Sequence, residues 1–194
     1  MRILCVSDEV HPALYHHLDM SRFKGIDALI SCGDLPDSYL DFLASNFNCP
    51  CYYVRGNHDP GASPDGWENI DQKLIVLNGL RIVGFEGCRL YTNRAAVQYT
   101  EREYWWKVRK MMPRIWWKGG VDMVVTHAPP KGYHEGGDLA HQGLESFRWF
   151  MEKYQPRYFL HGHQHLNYAP FQERRTQVGN TALINAFGYY VLEV

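Results

Sequence analysis

Ala28-Leu29-Ile30-Ser31-Cys32-Gly33-Asp34-Leu35-Pro36-Asp37 is the stretch on which the fold turns. A short apolar run stops at a Gly-Asp pair, and a helix-like segment begins just past the proline. The same arrangement recurs along the chain. Ile3–Ser7 ends at Asp8, and Cys51–Val54 leads into Gly56-Asn57-His58-Asp59. Met123–Thr126 ends at His127, and Tyr158–Leu160 leads into His161-Gly162-His163-Gln164-His165. Runs this short, rich in Val, Ile, Leu and Tyr and bounded by Gly or Pro, read as strands buried on both faces.

Between these strands, Ala13–Phe23, Asp37–Asn46 and Leu144–Tyr154 carry apolar residues at spacings of three and four, the mark of helices with one buried face. Alternating strands and helices imply parallel pairing through crossovers. In such sheets ligands gather beyond the carboxyl ends of the strands, which is where every polar cluster above falls. Other segments read as antiparallel. Asn78-Gly79 suits a type I′ turn joining Lys73–Leu77 to Leu80–Phe85, and the tail from Arg174 to Val194 carries two or three strands broken at Gly179-Asn180 and Gly188. Thr100–Lys118 reads as a helix that Pro113 should end or kink. The expectation is an α/β fold over one domain, residues 1–194, with two mixed sheets packed as a sandwich and helices outside.

Composition narrows the function. The 194 residues are 45% hydrophobic and 14% aromatic, enough for a substantial core. Twenty Lys and Arg against 21 Asp and Glu leave a charge of -1, which argues against a protein held to nucleic acid or an anionic membrane mainly by charge. No apolar run approaches the roughly 18 residues needed to cross a bilayer, and Asp8 interrupts the start too early for a secretory leader. Five cysteines without a CxxC pair point to free thiols and a cytoplasmic setting. Cys49-Pro50-Cys51 reads as buried thiols for the same reason. No GxxxxGK[ST] loop and no Ser or Cys nucleophile elbow is present, which disfavours nucleotide-driven motors and covalent phospho-enzymes.

Asp8, Asp34, Asn57, His127, His163 and His165 all carry donors suited to a borderline divalent metal. Imidazole with carboxylate and amide oxygen favours manganese, iron or zinc over calcium or magnesium. On an extended His163-Gln164-His165 segment both rings would face one side. The order Asp8, Gly33-Asp34-Leu35-Pro36-Asp37, Gly56-Asn57-His58-Asp59, Thr126-His127 and Gly162-His163-Gln164-His165 resembles the calcineurin-like metallophosphoesterase family. That family's motifs run DxH, GDxxD, GNH[DE], a histidine strand end and GHxH. The resemblance implies a four-layer α/β/β/α sandwich and two metals sharing a carboxylate and a hydroxide. It implies that Asp34 bridges, that Asn57, His127 and His163 hold one metal, and that Asp8 and His165 hold the other. It further implies that His58 acts near the leaving group, with Asp37 orienting its ring.

The first motif departs from the pattern, because the DxH histidine falls on Val10 and the next imidazole is His11. His11 could swing into the gap, Glu9 or solvent could complete a weaker site, or the protein could hold a single metal. Two metals, manganese first among the candidates, are expected. Arg55, Lys131, His134 and His141 are candidate substrate contacts, the last three on the glycine-rich loop after His127. Trp105, Trp106, Trp116 and Trp117 lie among Lys107, Arg109, Lys110 and Arg114. The expectation there is an aromatic face packed on the domain rather than a base-stacking platform.

The expected function is hydrolysis of a phosphomonoester or phosphodiester, with a small soluble substrate such as a nucleotide or phosphosugar, by attack of a metal-bridging hydroxide. The alternatives are a nuclease on single-stranded nucleic acid, or a non-catalytic scaffold on the same fold, as in the family's retromer subunit.

Overall fold

The computed structural model describes residues 1–59, 61–92, 97–167 and 173–194. Strand β1 (Arg2–Ser7) pairs in parallel with β2 (Ala28–Ser31), followed by β3 (Cys51–Tyr53) and β4 (Trp67–Asn69). The last strand, β13 (Gly188–Glu193), closes the other edge of this five-stranded sheet antiparallel to β1. A six-stranded second sheet has the order β11 (Arg175–Val178), β12 (Thr181–Asn185), β10 (Tyr158–His161), β9 (Met123–Thr126), β6 (Leu80–Phe85), β5 (Leu74–Leu77). Its inner four strands are parallel and both edge strands antiparallel. Cys88–Arg89 (β7) and Gln98–Tyr99 (β8) form a small ribbon beside it.

Alternation along each strand builds the layers. Ile3 and Cys5 of β1 face Met123 and Val125 of β9 across the core between the sheets. Leu4 and Val6 point the other way, onto Tyr39, Leu40 and Leu43 of α1 (Asp37–Phe47). Val124 and Phe159 meet α2 (Glu101–Trp117) and α3 (Glu145–Tyr154) on the far side. The result is the expected four-layer sandwich. Asn78 and Gly79 take positive φ values of 46° and 86°, as a type I′ hairpin requires.

Several expectations are corrected. Ala13–Phe23 is not an α-helix but two short 3₁₀ turns, Pro12–Leu14 and Met20–Phe23. The Asp19 carboxylate accepts the Ser21 N–H at 2.9 Å, starting a new turn in mid-segment, as short polar side chains do when they compete with the helix. Pro113 does not end its helix. α2 runs through it, fixed at its start by a Thr100–Glu103 capping box and along its length by buried Tyr104, Val108, Met111 and Ile115. Of the four tryptophans only half-buried Trp105 packs on the domain, edge-on against Trp149 of α3 at 5.1 Å, whereas Trp106 is exposed and Trp116 and Trp117 are each 83% exposed. The cysteines are free, and Cys49 alone is only half buried.

Candidate metal centre

Asp8 follows β1, Asp34 follows β2 and Asn57 follows β3, so the first sheet delivers two carboxylates and an amide to one rim. From the second sheet, β9 delivers His127 and β10 delivers His163 and His165. Two glycines let the segments close. A Cβ on Gly56 would collide with the Asp34 carboxylate, and one on Gly162 with Ser7 and Asp8. Asp8, Asp34 and His163 all take left-handed backbone, at φ 62°, 56° and 65°, which is strained for non-glycine residues and here turns each side chain into the rim. His163 therefore does not lie on an extended segment, and the rings of His163 and His165 share the site through this sharp turn instead.

The inner cluster is composed of acceptors. His127 Nδ1 donates to the Cys32 carbonyl at 2.8 Å, which turns its Nε2 into the cluster to hold a proton or a cation. His163 Nε2 likewise donates to the Ala140 carbonyl at 2.8 Å, freeing Nδ1. These two nitrogens face each other at 3.1 Å, with Asn57 Oδ1 at 3.0 Å and Asp34 Oδ2 at 3.3 Å from His127 Nε2. Asp34, His127 and His163 all present ligand atoms within 4.8 Å of one another. Converging lone pairs repel unless a positive charge lies among them, so the donor set fits a cation, and imidazole with oxygen suits manganese, iron or zinc.

Electrostatics agree. Burial opposes ionisation of Asp34, but the charge and hydrogen bond of His127, with the His58 N–H, bring its carboxyl down to about 2. His127 is wholly buried, which disfavours its charged form, yet Asp34 and the more distant Asp8 raise it to about 9. Burial and the charge of His127 push His163 down to about 4. The cluster thus attracts one positive charge, a proton on His127 that a metal cation would displace, and keeps its second imidazole neutral.

Asp8 and His165 form an outer pair, with His165 Nε2 at 3.7 Å from Asp8 Oδ1. Both Asp8 oxygens accept the His163 N–H, at 3.1 and 2.9 Å. Asp34 lies between the sets, its Oδ1 accepting the His58 N–H at 2.8 Å while Oδ2 faces His127. A cavity of about 320 Å³ opens over them, and His58, Tyr91 and His141 also line it.

Other expected residues fall elsewhere. Glu9 and His11 line a separate pocket, and the His11 ring packs edge-on against Tyr189 at 4.7 Å. Its Nδ1 accepts the Ala13 N–H, so it does not fill the gap at Val10. Asp37 does not orient His58. Its carboxylate accepts the Ser63 N–H at 3.3 Å, on the exposed first turn of α1. Arg55 is paired with Glu86 at 2.7 Å, Lys131 with Glu135 at 3.4 Å, and neither lines the cavity. His134 is wedged between His161 Nε2 at 2.9 Å and Thr176 Oγ1 at 2.8 Å, away from the cavity. Of the four substrate-contact candidates, His141 alone lines it.

The structure also adds residues. Tyr91 accepts the Asn57 Nδ2–H at 3.3 Å and so turns Oδ1 toward His127. Asp59 accepts backbone N–H groups of both Asp34 and Gly56, at 2.5 and 2.9 Å, tying the two loops together. The GNHD run contains Asp59 and could have suggested it. Tyr91 sits in no readable pattern.

A family model for calcineurin-like phosphoesterases matches residues 1–167, covering every motif above. The chain belongs to the calcineurin-like phosphoesterase family. Solved structures share this phosphoesterase fold. One aligns at a TM-score of 0.67 with 13% identity, covering 98% of this chain and 94% of the other. TT1561 of Thermus thermophilus aligns at 0.64 with 15% identity, over 96% and 89% of the two chains. A single mutant (D62A) of Vps29 from Entamoeba histolytica aligns at 0.50 with 14% identity, over 100% and 86%. At such identities they speak for the fold alone. No curated protein matches the sequence. Family and cluster together mark a metal-dependent phosphoesterase in the general sense. No helix among the described residues is long and apolar enough to cross a membrane.

Proposed function

We propose that this phosphoesterase hydrolyses a phosphomonoester or phosphodiester of a small soluble molecule in the 320 Å³ cavity. The observation that carries the reading is the convergence of ligand-type atoms from Asp34, Asn57, His127 and His163 on one point. Asp34, Asn57, His127 and His163 would hold one divalent cation, manganese first among the candidates. Asp34, Asp8 and His165 would hold a second, more weakly. Cations bound there supply an activated water and offset charge on a phosphoryl oxygen. The chain's own groups do the rest. Asp34, shared by both sets, fixes their spacing, and its contact with the His58 backbone sets that residue at the cavity wall. His58 needs no role as a ligand, so its ring is available to the departing oxygen.

Topology weighs against the nuclease alternative. The exposed Trp116 and Trp117 end α2, and the chain then enters β9 at the end opposite His127. A strand stacked on those rings would lie across the sheet from the cavity.

The test is turnover of bis(4-nitrophenyl) phosphate and 4-nitrophenyl phosphate by manganese-loaded protein. Turnover of at least one is expected, and Asp34→Asn should abolish it. A protein that takes up manganese yet cleaves neither would leave the scaffold reading in its place. Calorimetric titration should give two manganese ions per chain with unequal affinity, and a stoichiometry fixed at one would remove the second site.

A further inference from the structure

The carboxylate–imidazole pair expected at Asp37 and His58 exists in this cavity on a different loop. Asp138 receives His141 Nδ1 at 2.8 and 2.9 Å through its two oxygens, and its Oδ1 also accepts the His141 N–H at 2.9 Å. The loop is fastened to the GHxH segment. The His141 carbonyl accepts Gln164 Nε2 at 2.8 Å and the Gly136 N–H at 2.9 Å, and the neighbouring Ala140 carbonyl accepts the ring of His163. The His141 ring lies 5.1 Å from that of His163, on the cavity wall. With Nδ1 committed to Asp138, Nε2 is the ring's one remaining polar atom, and it has no hydrogen-bond partner among the described residues.

An anionic phosphoryl group needs hydrogen-bond partners on the side turned away from the cations. Asp8 and Asp34 offer only acceptors to the cavity. We propose that His141, oriented by Asp138, is a substrate-contacting residue whose Nε2–H donates to a phosphoryl oxygen, with the Asp138 carboxylate balancing the charge the ring then carries. The assignment rests on the phosphoesterase reading above and adds a residue to it. Asp138 acts through His141 and is a positioning residue.

The experiment compares wild type, His141→Ala, His141→Gln and Asp138→Asn, each loaded with manganese. Two titrations are run by calorimetry, manganese into apo-protein and inorganic phosphate into loaded protein, with KM and kcat measured on whichever nitrophenyl ester is cleaved. His141→Ala should weaken phosphate binding and raise KM by about tenfold or more, the worth of a hydrogen bond to a charged group. Manganese affinity should stay at the wild-type level. Asp138→Asn should produce a smaller loss of the same kind, and His141→Gln, which retains an amide donor, should recover part of it. Unchanged phosphate affinity in His141→Ala would overturn the assignment. So would a matching fall in manganese affinity, which would make His141 a support of the metal cluster instead. Wild-type protein that binds manganese but neither phosphate nor ester would sink the phosphoesterase reading itself.

Discussion

Val10 stands where the family pattern has a histidine, and the structure offers no substitute. His11 is engaged with Ala13 and Tyr189, and Glu9 lines another pocket. The outer set therefore consists of Asp8, His165 and a shared Asp34. Val10→His should tighten the proposed weaker manganese site by more than the roughly tenfold that even an outer-shell partner contributes. An unaltered second-site affinity in calorimetry would show that the gap is already filled. Tyr91 makes the complementary case. Its hydroxyl accepts one amide hydrogen of Asn57 and thereby aims the oxygen of that amide at His127. Tyr91→Phe should loosen the proposed tighter manganese site by about tenfold, without disturbing the fold. At this scale the proposed ligands were legible because each closes a short apolar run. Their supports were not, since a carbonyl such as that of Cys32 or Ala140 leaves no trace in residue type.

Helix α2 shows how packing overrides a local rule. A proline in a helix interior removes a hydrogen bond and crowds the preceding turn, yet Glu101–Trp117 is continuous, because its capped start and five buried residues, Lys107 among them, outweigh Pro113. Pro113 is exposed, so Pro113→Ala should raise unfolding free energy, by up to about 3 kcal/mol, measured by urea denaturation. A lower stability would mean that the ring makes a contact worth more than the hydrogen bond it forfeits. The reverse happened at Ala13–Phe23, where helical spacing was present but Asp19 captured a nearby N–H and broke the run. The strands that end in polar clusters were readable as apolar runs, and the Asn78-Gly79 hairpin from its turn chemistry. Trp67–Asn69, Cys88–Arg89 and Gln98–Tyr99 were not, because none of them is an apolar run. The tryptophans misled for another reason, as Tyr104, Val108, Met111 and Ile115 already fill the buried stripe and leave Trp116 and Trp117 outside it.

Across the whole molecule, a buried ionic knot joins the two sheets beside the cavity. Arg55, leaving the first sheet, holds Glu86 of the second with bonds of 2.7 and 3.1 Å. Lys107 of α2 approaches Glu86 at 3.5 Å and Asp71 at 3.3 Å, and the Tyr99 hydroxyl donates to Glu86 at 2.5 Å. Burial alone would raise the Glu86 carboxyl, but Arg55, Tyr99 and Lys107 hold it below its ordinary 4.5. A carboxyl depressed on folding contributes stability that is complete above 4.5 and is lost as pH falls through the folded value. Glu86→Gln should thus cost about 3 kcal/mol near neutrality in chelator, because it removes the buried carboxylate that Arg55 and Lys107 share. The gap to wild type should narrow as urea curves are taken to lower pH, and a constant gap would mean that Glu86 acts through shape rather than charge. Residue order alone held no hint of this knot, since Glu86, Asp71 and Lys107 meet only once the sheets are stacked.

The origin of the ligands has a mechanical corollary. Asp8, Asp34 and Asn57 come from one sheet, His127, His163 and His165 from the other. An ion seated among them would rivet the two slabs at their shared edge, so that any shear between the slabs must first pull the rivet. Loading and rigidity would then rise together. Manganese at a hundred times its dissociation constant should add about 2.7 kcal/mol to the unfolding free energy. The added protection from amide exchange should centre on the ends of β1, β2, β9 and β10. Were the slowing spread evenly over both sheets, or confined to one, the ion would be a passenger and not a fastener.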